Sequence, residues 1–140
     1  MKLNICYSVQ QQIVNYTNLV LEENNIDLNS VVNNSCEEII VSSVLDHLTY
    51  ENANKALKEV LGKLRLGGMI TINGIDAKAL SRMVVSDSVS IEQLNEILGN
   101  TKSLNTIFNI RNILTQLGLV IESDFINGYS YSITAKRNKV

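Results

Sequence analysis

Residues 38–72, EIIVSSVLDHLTYENANKALKEVLGKLRLGGMITI, decide the fold because they combine a buried strand, a helix and a second strand. Residues 38–45 form a nearly continuous apolar run, which predicts a strand buried on both faces, as in a parallel sheet. After an N-cap at Thr49, apolar residues recur at helical spacing, which predicts an amphipathic helix. The Gly-Gly dipeptide at 67–68 is predicted to end this helix, and residues 69–72 are predicted to form the next strand.

The segments on either side continue the alternation of strands and helices. Three strand candidates precede the central stretch, the last of them very short, at residues 3–7, 16–21 and 26–28. Asn73 and Gly74 are expected to close the strand that ends the stretch, and three helices are predicted to follow, at residues 77–84, 90–98 and 103–117. Ser90 and Gln93 form a capping box for the second helix, and Gly118 is expected to cap the third. The alternation implies an α/β fold with a mostly parallel sheet and helices on both faces.

The end of the chain carries the clearest local signal. Residues 119–126 and 129–135 are predicted strands joined by Asn127 and Gly128, a dipeptide that suits a type I′ turn. Apolar residues alternate with serine and threonine along the last strand, which predicts an antiparallel hairpin with one polar face. A solvated terminus is expected for the basic residues that follow, which are Lys136, Arg137 and Lys139.

Composition limits the class of protein and its partners. The 140 residues fit one domain, residues 1–140, and the 45% of hydrophobic and 19% of charged residues are typical of a globular chain. No stretch approaches the roughly 20 apolar residues of a membrane helix, and the N-terminus lacks a signal peptide, so we expect a cytoplasmic protein without a membrane partner. A net charge of −2 with no basic stripe disfavours a nucleic-acid partner. Frequent asparagines, whose codons are AT-rich, favour an AT-rich genome such as that of a phage or a marine bacterium.

The cysteines and the histidine argue against metal and redox chemistry. Cys6 and Cys36 lie far apart and match no metal spacing or redox pair, so we expect two reduced, buried thiols. His47 is the only histidine, which excludes a metal site built on several histidines. We therefore expect no bound metal.

The order of motifs along the chain points to a known family. Residues 27–48 run Asp-Leu, a short apolar loop, Asn-Ser, an acidic strand entry and Val-Leu-Asp-His-Leu. This stretch resembles class I S-adenosylmethionine (SAM) methyltransferases, which have Val-Leu-Glu-His-Leu at its end. Residues 57–72 are similar to that family's next helix, Gly-Gly turn and strand, and residues 90–137 to the closing helices and hairpin of a small subgroup of the methyltransferase type 11 kind. The resemblance covers nearly the whole chain and implies a Rossmann-like methyltransferase fold.

The resemblance also implies where SAM would bind. In the family, a Gly-x-Gly loop follows the first strand, an acidic residue ends the second strand and holds the ribose, and an acidic–apolar pair frames the adenine. Asp27 and Leu28 occupy the adenine position here; the alternative role for Asp27 is a turn carboxylate. Ser43, Val44 and His47 lie in the segment that closes over the methionine part.

Two of these contacts depart from the family pattern. Cys6, Tyr7 and Ser8 stand where the family has Gly-Cys-Gly, and the strand and its loop contain no glycine. Glycines there permit a tight turn and a close approach of the backbone to the ligand, so we expect the Tyr7 side chain to fill cofactor space. Val20 takes the place of the ribose carboxylate, and Glu22, two residues further on the same strand face, is the candidate replacement.

Catalytic residues are only weakly marked. Asp46 and His47 are the candidates, since they stand where the family has Glu-His. The alternative for His47 is a hydrogen-bonded residue that fixes the strand-to-helix loop, and Asp76, at the pocket's rim, is expected to have an ordinary loop role. Methyl transfer is an in-line displacement that depends on positioning the acceptor, with a base where the acceptor must lose a proton.

Three functions remain open from the sequence. The first is a methyltransferase-like protein with a degenerate cofactor site that acts by binding a partner or by forming a homodimer. The second is an active methyltransferase for a small molecule, such as a sugar or another metabolite, with an unusual cofactor loop. The third is a metabolite- or nucleotide-binding module that kept the crevice and changed its ligand.

Overall fold

The computed structural model describes residues 1–138, which form one sheet with helices packed against it. The strands are β1 Lys2–Cys6, β2 Thr17–Val20, β3 Cys36–Ser42, β4 Leu64–Ile75, β5 Leu119–Asn127 and β6 Ser130–Arg137. The α-helices are α1 Tyr50–Lys63, α2 Ala77–Val85, α3 Ile91–Gly99 and α4 Ile107–Gln116. Two short 3₁₀ turns lie at Val9–Gln11 and Leu45–His47. No helix in this part of the chain has the length and apolar character needed to cross a membrane.

The sheet confirms the predicted fold class. Its strand order is β2-β1-β3-β4-β6-β5. The first four strands pair in parallel, β6 runs antiparallel to β4, and β5 runs antiparallel to β6 at the edge. The chain is therefore a mostly parallel, Rossmann-like α/β protein that ends in an antiparallel hairpin.

One face of the sheet carries the hydrophobic core. Neighbours in the pairing register share this face across four strands and are fully buried: Leu3, Ile39, Ile70 and Ala135. Helices α1 and α4 both pack on it, and their core side chains include Leu57, Val60, Ile110 and Leu114. The core is thus a single layer between the sheet and these two helices.

The opposite face, which we call the open face, differs from the expectation of helices on both faces. Its side chains alternate with those of the core. Asn4 and Cys6 of β1 are fully buried there, but Ile40, Thr71 and Thr134 on the next strands are half-buried and Met69 is exposed. The connections from β1 to β2 and from β2 to β3 contain no α-helix. The α-helices lie in the β3–β4 and β4–β5 connections, which both run toward the same edge. Right-handed crossovers in one direction place the packed helices α1 and α4 on one face.

The Gly-Gly dipeptide does not end α1, as had been expected, but forms a bulge inside β4. The helix ends at Lys63, and Leu64 already pairs with Cys36 of β3. The next pair is Glu38 with Met69, so residues 65–68 bulge out of the ladder, and Gly67 adopts a φ of 77°. This conformation favours glycine, which explains the dipeptide in another way.

Strand β4 continues past the expected turn at Asn73 and Gly74 to Ile75. Gly74 pairs with Tyr131 of β6, and a Cβ at Gly74 would lie 2.9 Å from the tyrosine ring. Glycine is therefore required because an aromatic ring packs against the backbone. The dipeptide is a packing feature of the strand rather than its end.

Other local predictions have mixed outcomes. The Ser90–Gln93 capping box of α3 is confirmed in both directions. Residues 26–28 form no strand, and their loop instead contributes Ile26 and Leu28 to the core. The last helix begins after Thr106, whose hydroxyl accepts the Asn109 N–H, rather than after Ser103.

The hairpin is confirmed, with its turn one residue later than predicted. Asn127 pairs with Ser130, so Gly128 and Tyr129 are the two loop residues. Only Gly128 of these has a positive φ, 63°, which is the pattern of a type II′ turn rather than type I′. Arg137 is not part of a solvated terminus, since it donates to the Asn34 side chain and the Leu64 carbonyl. Lys139 lies outside the described residues.

Candidate functional site

The candidate site is the crevice where the connections of neighbouring strands diverge. From β1 the chain passes to β2 on one side, whereas β3 leads to β4 on the other. Ligands of open α/β sheets bind at such a switch point, beyond the carboxyl ends of the strands. Residues 7–8 and 43–47 leave β1 and β3 at this point, so the structure brings together the first-strand loop and the methionine segment of the predicted site.

The loop after β1 has neither a glycine nor an α-helix. Cys6 is fully buried, its thiol points toward the Leu19 carbonyl at 3.8 Å, and burial raises its pKa. Ser8 is extended and precedes the Val9–Gln11 turn. The Gln11 side-chain oxygen accepts the Tyr7 N–H at 3.1 Å. This backbone donor is therefore paired within the loop.

Tyr7 and His47 stack on each other across the crevice. Their ring centroids are 4.2 Å apart with an interplanar angle of 34°. Tyr7 follows β1 and His47 follows β3, so the pair joins the ends of the two strands that flank the switch point. Burial lowers the pKa of His47 below its ordinary 6.5, which favours the neutral ring at pH 7. Tyr7 remains 43% exposed.

The backbone after β3 is strained at one residue. Ser43 adopts a φ of 58°, and its N–H donates to the Asn73 carbonyl of β4 at 3.2 Å. Val44 is completely buried in the core. A serine in the left-handed region costs free energy and is held there by the surrounding structure. Of these two predicted cofactor residues, only Ser43 has a partly accessible side chain.

Asp46 is a buried carboxylate that joins three segments. It is 4% exposed, and its Oδ2 accepts the Ile75 N–H at 3.0 Å. Its main-chain carbonyl accepts the Lys102 N–H at 2.8 Å. Burial raises the pKa of Asp46 from 3.8 to about 7, and the bond from Ile75 opposes this rise in part. These bonds give Asp46 a role in holding the loop after β3 against the end of β4.

Asp76 caps two helices at once, so its role is larger than the ordinary loop role expected. It is 2% exposed, its Oδ2 accepts the Ala79 N–H at 2.8 Å, and its Oδ1 accepts the Ile107 N–H at 2.7 Å. Both bonds satisfy donors at helix N-termini, those of α2 and α4. A sequence signal existed, because Asp stands directly before the apolar start of α2.

Tyr131 is a polar residue of this region that no sequence motif marks. Its hydroxyl is buried without a hydrogen-bond partner among the described residues. Burial, with the nearby charges of Asp46 and Asp76, raises its pKa far above 10. The alternating pattern of β6 predicts that Tyr131 points into the core, but it does not reveal which carboxylates lie beside it.

The predicted ribose and adenine residues share a second location. Glu22, Glu23, Asn25 and Asp27 line an open hollow of about 510 Å³ beside the end of β2. Asp27 also accepts the Asn29 N–H at 3.0 Å, which is the turn role considered as its alternative. Leu28 packs in the core, and Val20 ends β2 half-buried. The structure thus brings Glu22 and Asp27 together and places Leu28 away from the hollow.

Among residues 1–138, no three His, Cys, Asp or Glu side chains cluster closely enough to bind a metal ion. Cys6 and Cys36 are both buried, free thiols, as expected.

Comparisons with known proteins identify the fold. No family model matches the sequence, and no curated protein matches it. Among solved structures, an O-methyltransferase family protein from Burkholderia thailandensis superposes on this chain with a TM-score of 0.62 at 13% identity. The match covers 89% of this chain and 36% of the Burkholderia protein. Magnesium protoporphyrin IX methyltransferase from Synechocystis, solved with bound S-adenosylhomocysteine, has a TM-score of 0.59 at 18% identity. The match covers 92% of this chain and 54% of the Synechocystis enzyme.

A third similar structure is a putative methyltransferase from Haloferax volcanii, solved in complex with the Trm112 methyltransferase activator. Its TM-score is 0.60 at 8% identity, and the match covers 94% of this chain and 65% of that one. The chain therefore has the class I SAM-dependent methyltransferase fold, as its motifs predicted. It spans only about a third to two thirds of the length of these three proteins.

Proposed function

We propose that this chain is a methyltransferase-fold protein that does not use SAM and acts by binding a protein partner. The observation that carries the proposal is the stack of Tyr7 on His47, with 4.2 Å between ring centroids, at the switch point where this fold binds its cofactor. We expect the Tyr7 ring, held against His47, to occupy space that a cofactor at this point would need.

The backbone of the loop supports the same proposal. A glycine loop followed by a helix N-terminus offers backbone N–H groups to a ligand. Here the Tyr7 N–H is paired with Gln11, and the β1–β2 connection has only a single 3₁₀ turn. Replacing these features together with the ribose carboxylate removes several close contacts, and each 1.4 kcal/mol lost weakens affinity about tenfold.

Two observations support a role in binding a protein partner. The Haloferax neighbour was solved with an activator protein, so a protein of this fold does take a protein partner. The open face leaves Ile40 half-buried and Met69 exposed, which provides apolar surface for such a contact. A nucleic-acid partner has less support, because the net charge is −2.

Calorimetric titration of SAM and S-adenosylhomocysteine into the purified chain tests the proposal. We expect no binding up to millimolar ligand for the wild type, and measurable millimolar binding for Tyr7→Ala, because the substitution removes the ring from the crevice. Tyr50→Ala, at an exposed tyrosine of α1, is the matched control and should stay without binding. A cooperative thermal transition must accompany each result. Micromolar binding by the wild type contradicts the proposal.

A second candidate function is methyl transfer to a small-molecule acceptor. The hollow lined by Glu22 and Asp27 favours it, because it gathers the two carboxylates that the family resemblance assigns to ribose and adenine. In that case Glu22→Gln should weaken SAM binding about tenfold or more, since a hydrogen bond to a charged group is worth about 1.5–3 kcal/mol. Glu23→Gln, in the same hollow, is the control. A different co-purified small molecule, detected by native mass spectrometry, would instead favour a metabolite- or nucleotide-binding module.

A further inference from the structure

The edge strand β5 is long, exposed and partly apolar. Residues 122–128 are all exposed. Phe125 is 60% exposed, Val120 is 48% exposed and Ile126 is 42% exposed. Unpaired backbone groups along such an edge are a template for another strand. The other edge, β2, has only four residues and offers far less pairing length.

A bulge divides β5 into two halves. Ile121 pairs with Ala135 and Ser123 with Thr134, so Glu122 is an extra residue without a partner in the ladder. Because the ladder skips Glu122, the alternation of faces along β5 shifts by one residue at this point. Val120 and Phe125 then lie on the open face, and Leu119 and Ile126 on the core face, according to their partners in β6.

This arrangement makes β5 self-complementary about Ser123. Two copies that run antiparallel with Ser123 on the two-fold axis place Val120 opposite Phe125 of the other copy. They also place Leu119 opposite Ile126. Each of these pairs is apolar on both sides and lies on one face, which a cross-strand pair requires.

The charges of β5 tolerate the same register. Glu122 falls in the bulge, so it does not face Asp124 of the other copy. Asp124 lies opposite Ile121, and its carboxylate is already paired with Arg111 of its own α4 at 2.5 Å. No like charges therefore stand directly opposite each other across the axis, an arrangement that would oppose pairing.

We infer that the chain forms a two-fold homodimer in which β5 pairs with β5 of a second copy, with Ser123 on the axis. The two sheets then continue into one. A two-fold interface uses the same patch on both copies, which is the property that β5 has. The inference does not rest on the proposed function, because β5 and the switch-point crevice are separated by three strands, β3, β4 and β6.

Sedimentation equilibrium over a dilution series measures the assembly directly. We expect a species of twice the monomer mass of 15.6 kDa. Val120→Lys and Phe125→Lys should each weaken the dimer about tenfold, since each removes two symmetry-related apolar pairs. Val85→Lys and Phe108→Lys, at exposed sites on α2 and α4, are matched controls and should leave the dimer unchanged.

The register has its own test. The double substitution Val120→Lys with Phe125→Glu places opposite charges across the axis, so it should recover affinity lost in Val120→Lys alone. Ser123→Cys, treated with copper–phenanthroline as the oxidant, should give a disulfide-linked dimer, because directly opposite Cα atoms lie within disulfide range. Asn127→Cys, at the far end of β5, should not cross-link.

Three results would overturn the inference. The first is a monomer at all concentrations, and the second is a dimer that resists both lysine substitutions. The third is a dimer that Ser123→Cys fails to cross-link and the charge pair fails to restore. Circular dichroism and thermal melting establish that each variant is folded. Calorimetry with SAM separates this result from the proposed function, since β5 variants should bind or fail to bind as the wild type does.

Discussion

At the scale of single residues, the buried Asp46 and Asp76 hold neighbouring elements together by accepting backbone hydrogen bonds. Asp46 accepts the Ile75 N–H, and Asp76 accepts donors from the first turns of α2 and α4. A carboxyl group has two oxygens that can accept hydrogen bonds, and it keeps acceptor capacity when it is protonated, so it is suited to unpaired N–H groups at the ends of elements. The catalytic candidate Asp46 is thus placed for structure, whereas His47 is the half-buried group that faces the crevice.

Asp46 should make the chain less stable as the pH rises. In the unfolded chain this group ionises near pH 3.8, but in the folded chain it holds its proton up to about pH 7. Between these values the folded state binds more protons, so the free energy of unfolding falls as pH rises. Asp46→Asn keeps an acceptor for Ile75 and should be more stable than wild type at pH 8, by roughly 4 kcal/mol, because the pKa shift from 3.8 to about 7 converts at 1.36 kcal/mol per pKa unit.

Urea unfolding of the wild type and Asp46→Asn across pH 4 to 8 measures this difference. Glu96→Gln, at an exposed site, controls for the loss of one negative charge. A gap between wild type and Asp46→Asn that stays constant with pH would show that the Asp46 carboxyl does not titrate in this range.

At the scale of elements, glycine has different functions in two places only five residues apart. Gly62 lies in the last turn of α1, where an added Cβ would meet nothing within 4 Å. Gly67 lies in the β4 bulge with a positive φ, so the conformation and not the available space restricts it. Gly62 therefore shows only the cost of glycine to helix stability, whereas Gly67 shows the need for glycine in a left-handed conformation.

Opposite effects are expected for alanine at these positions. Gly62→Ala should raise the free energy of unfolding by about 0.5 to 1 kcal/mol, because alanine is the better helix former. Gly67→Ala should lower it by about 1 to 2 kcal/mol, because a Cβ disfavours the left-handed region. Thermal and urea unfolding of both variants test the pair, and a stabilising Gly67→Ala would mean that the bulge is not retained.

Structural features that depend on residues close in sequence were predictable from the sequence. Features that depend on residues far apart in sequence were not. The capping box at Ser90 and the apolar run of β3 use contacts a few residues apart or a single burial pattern. The end of α1 was misplaced because glycine serves helix caps and bulges equally well. The extended role of Gly74 needed Tyr131, which is 57 residues away, and the sequence alone does not supply that contact.

At the scale of the whole molecule, the sheet has one covered face and one open face. Ile39 and Ile40 are neighbours in β3 but point to opposite sides, and only Ile39 is fully buried. The candidate site follows the same division of predictability. Its location at the carboxyl ends of the strands follows from topology, but the Tyr7–His47 stack depends on side-chain conformations in two loops, which motif order does not determine.

Alanine substitutions of these two neighbours test the division between the faces. Ile39→Ala should cost about 2 to 5 kcal/mol, as for a buried aliphatic residue that leaves a cavity. Ile40→Ala should cost roughly 1 kcal/mol or less, because water already reaches that face. Chemical denaturation measures both values. Equal losses would mean that the open face is covered in solution, for example by a partner or a second copy.

The double cap at Asp76 has a consequence for continuity of the chain. The Asp76 side chain accepts hydrogen bonds from the N-termini of both α2 and α4. The relative position of these helices therefore does not depend only on the chain segment that connects them. That segment includes residues 85–88, which are exposed on the surface, and Asp87 has a φ of 60°. A single proteolytic nick there should leave both fragments associated, so this segment is a suitable place for new termini in a circular permutant.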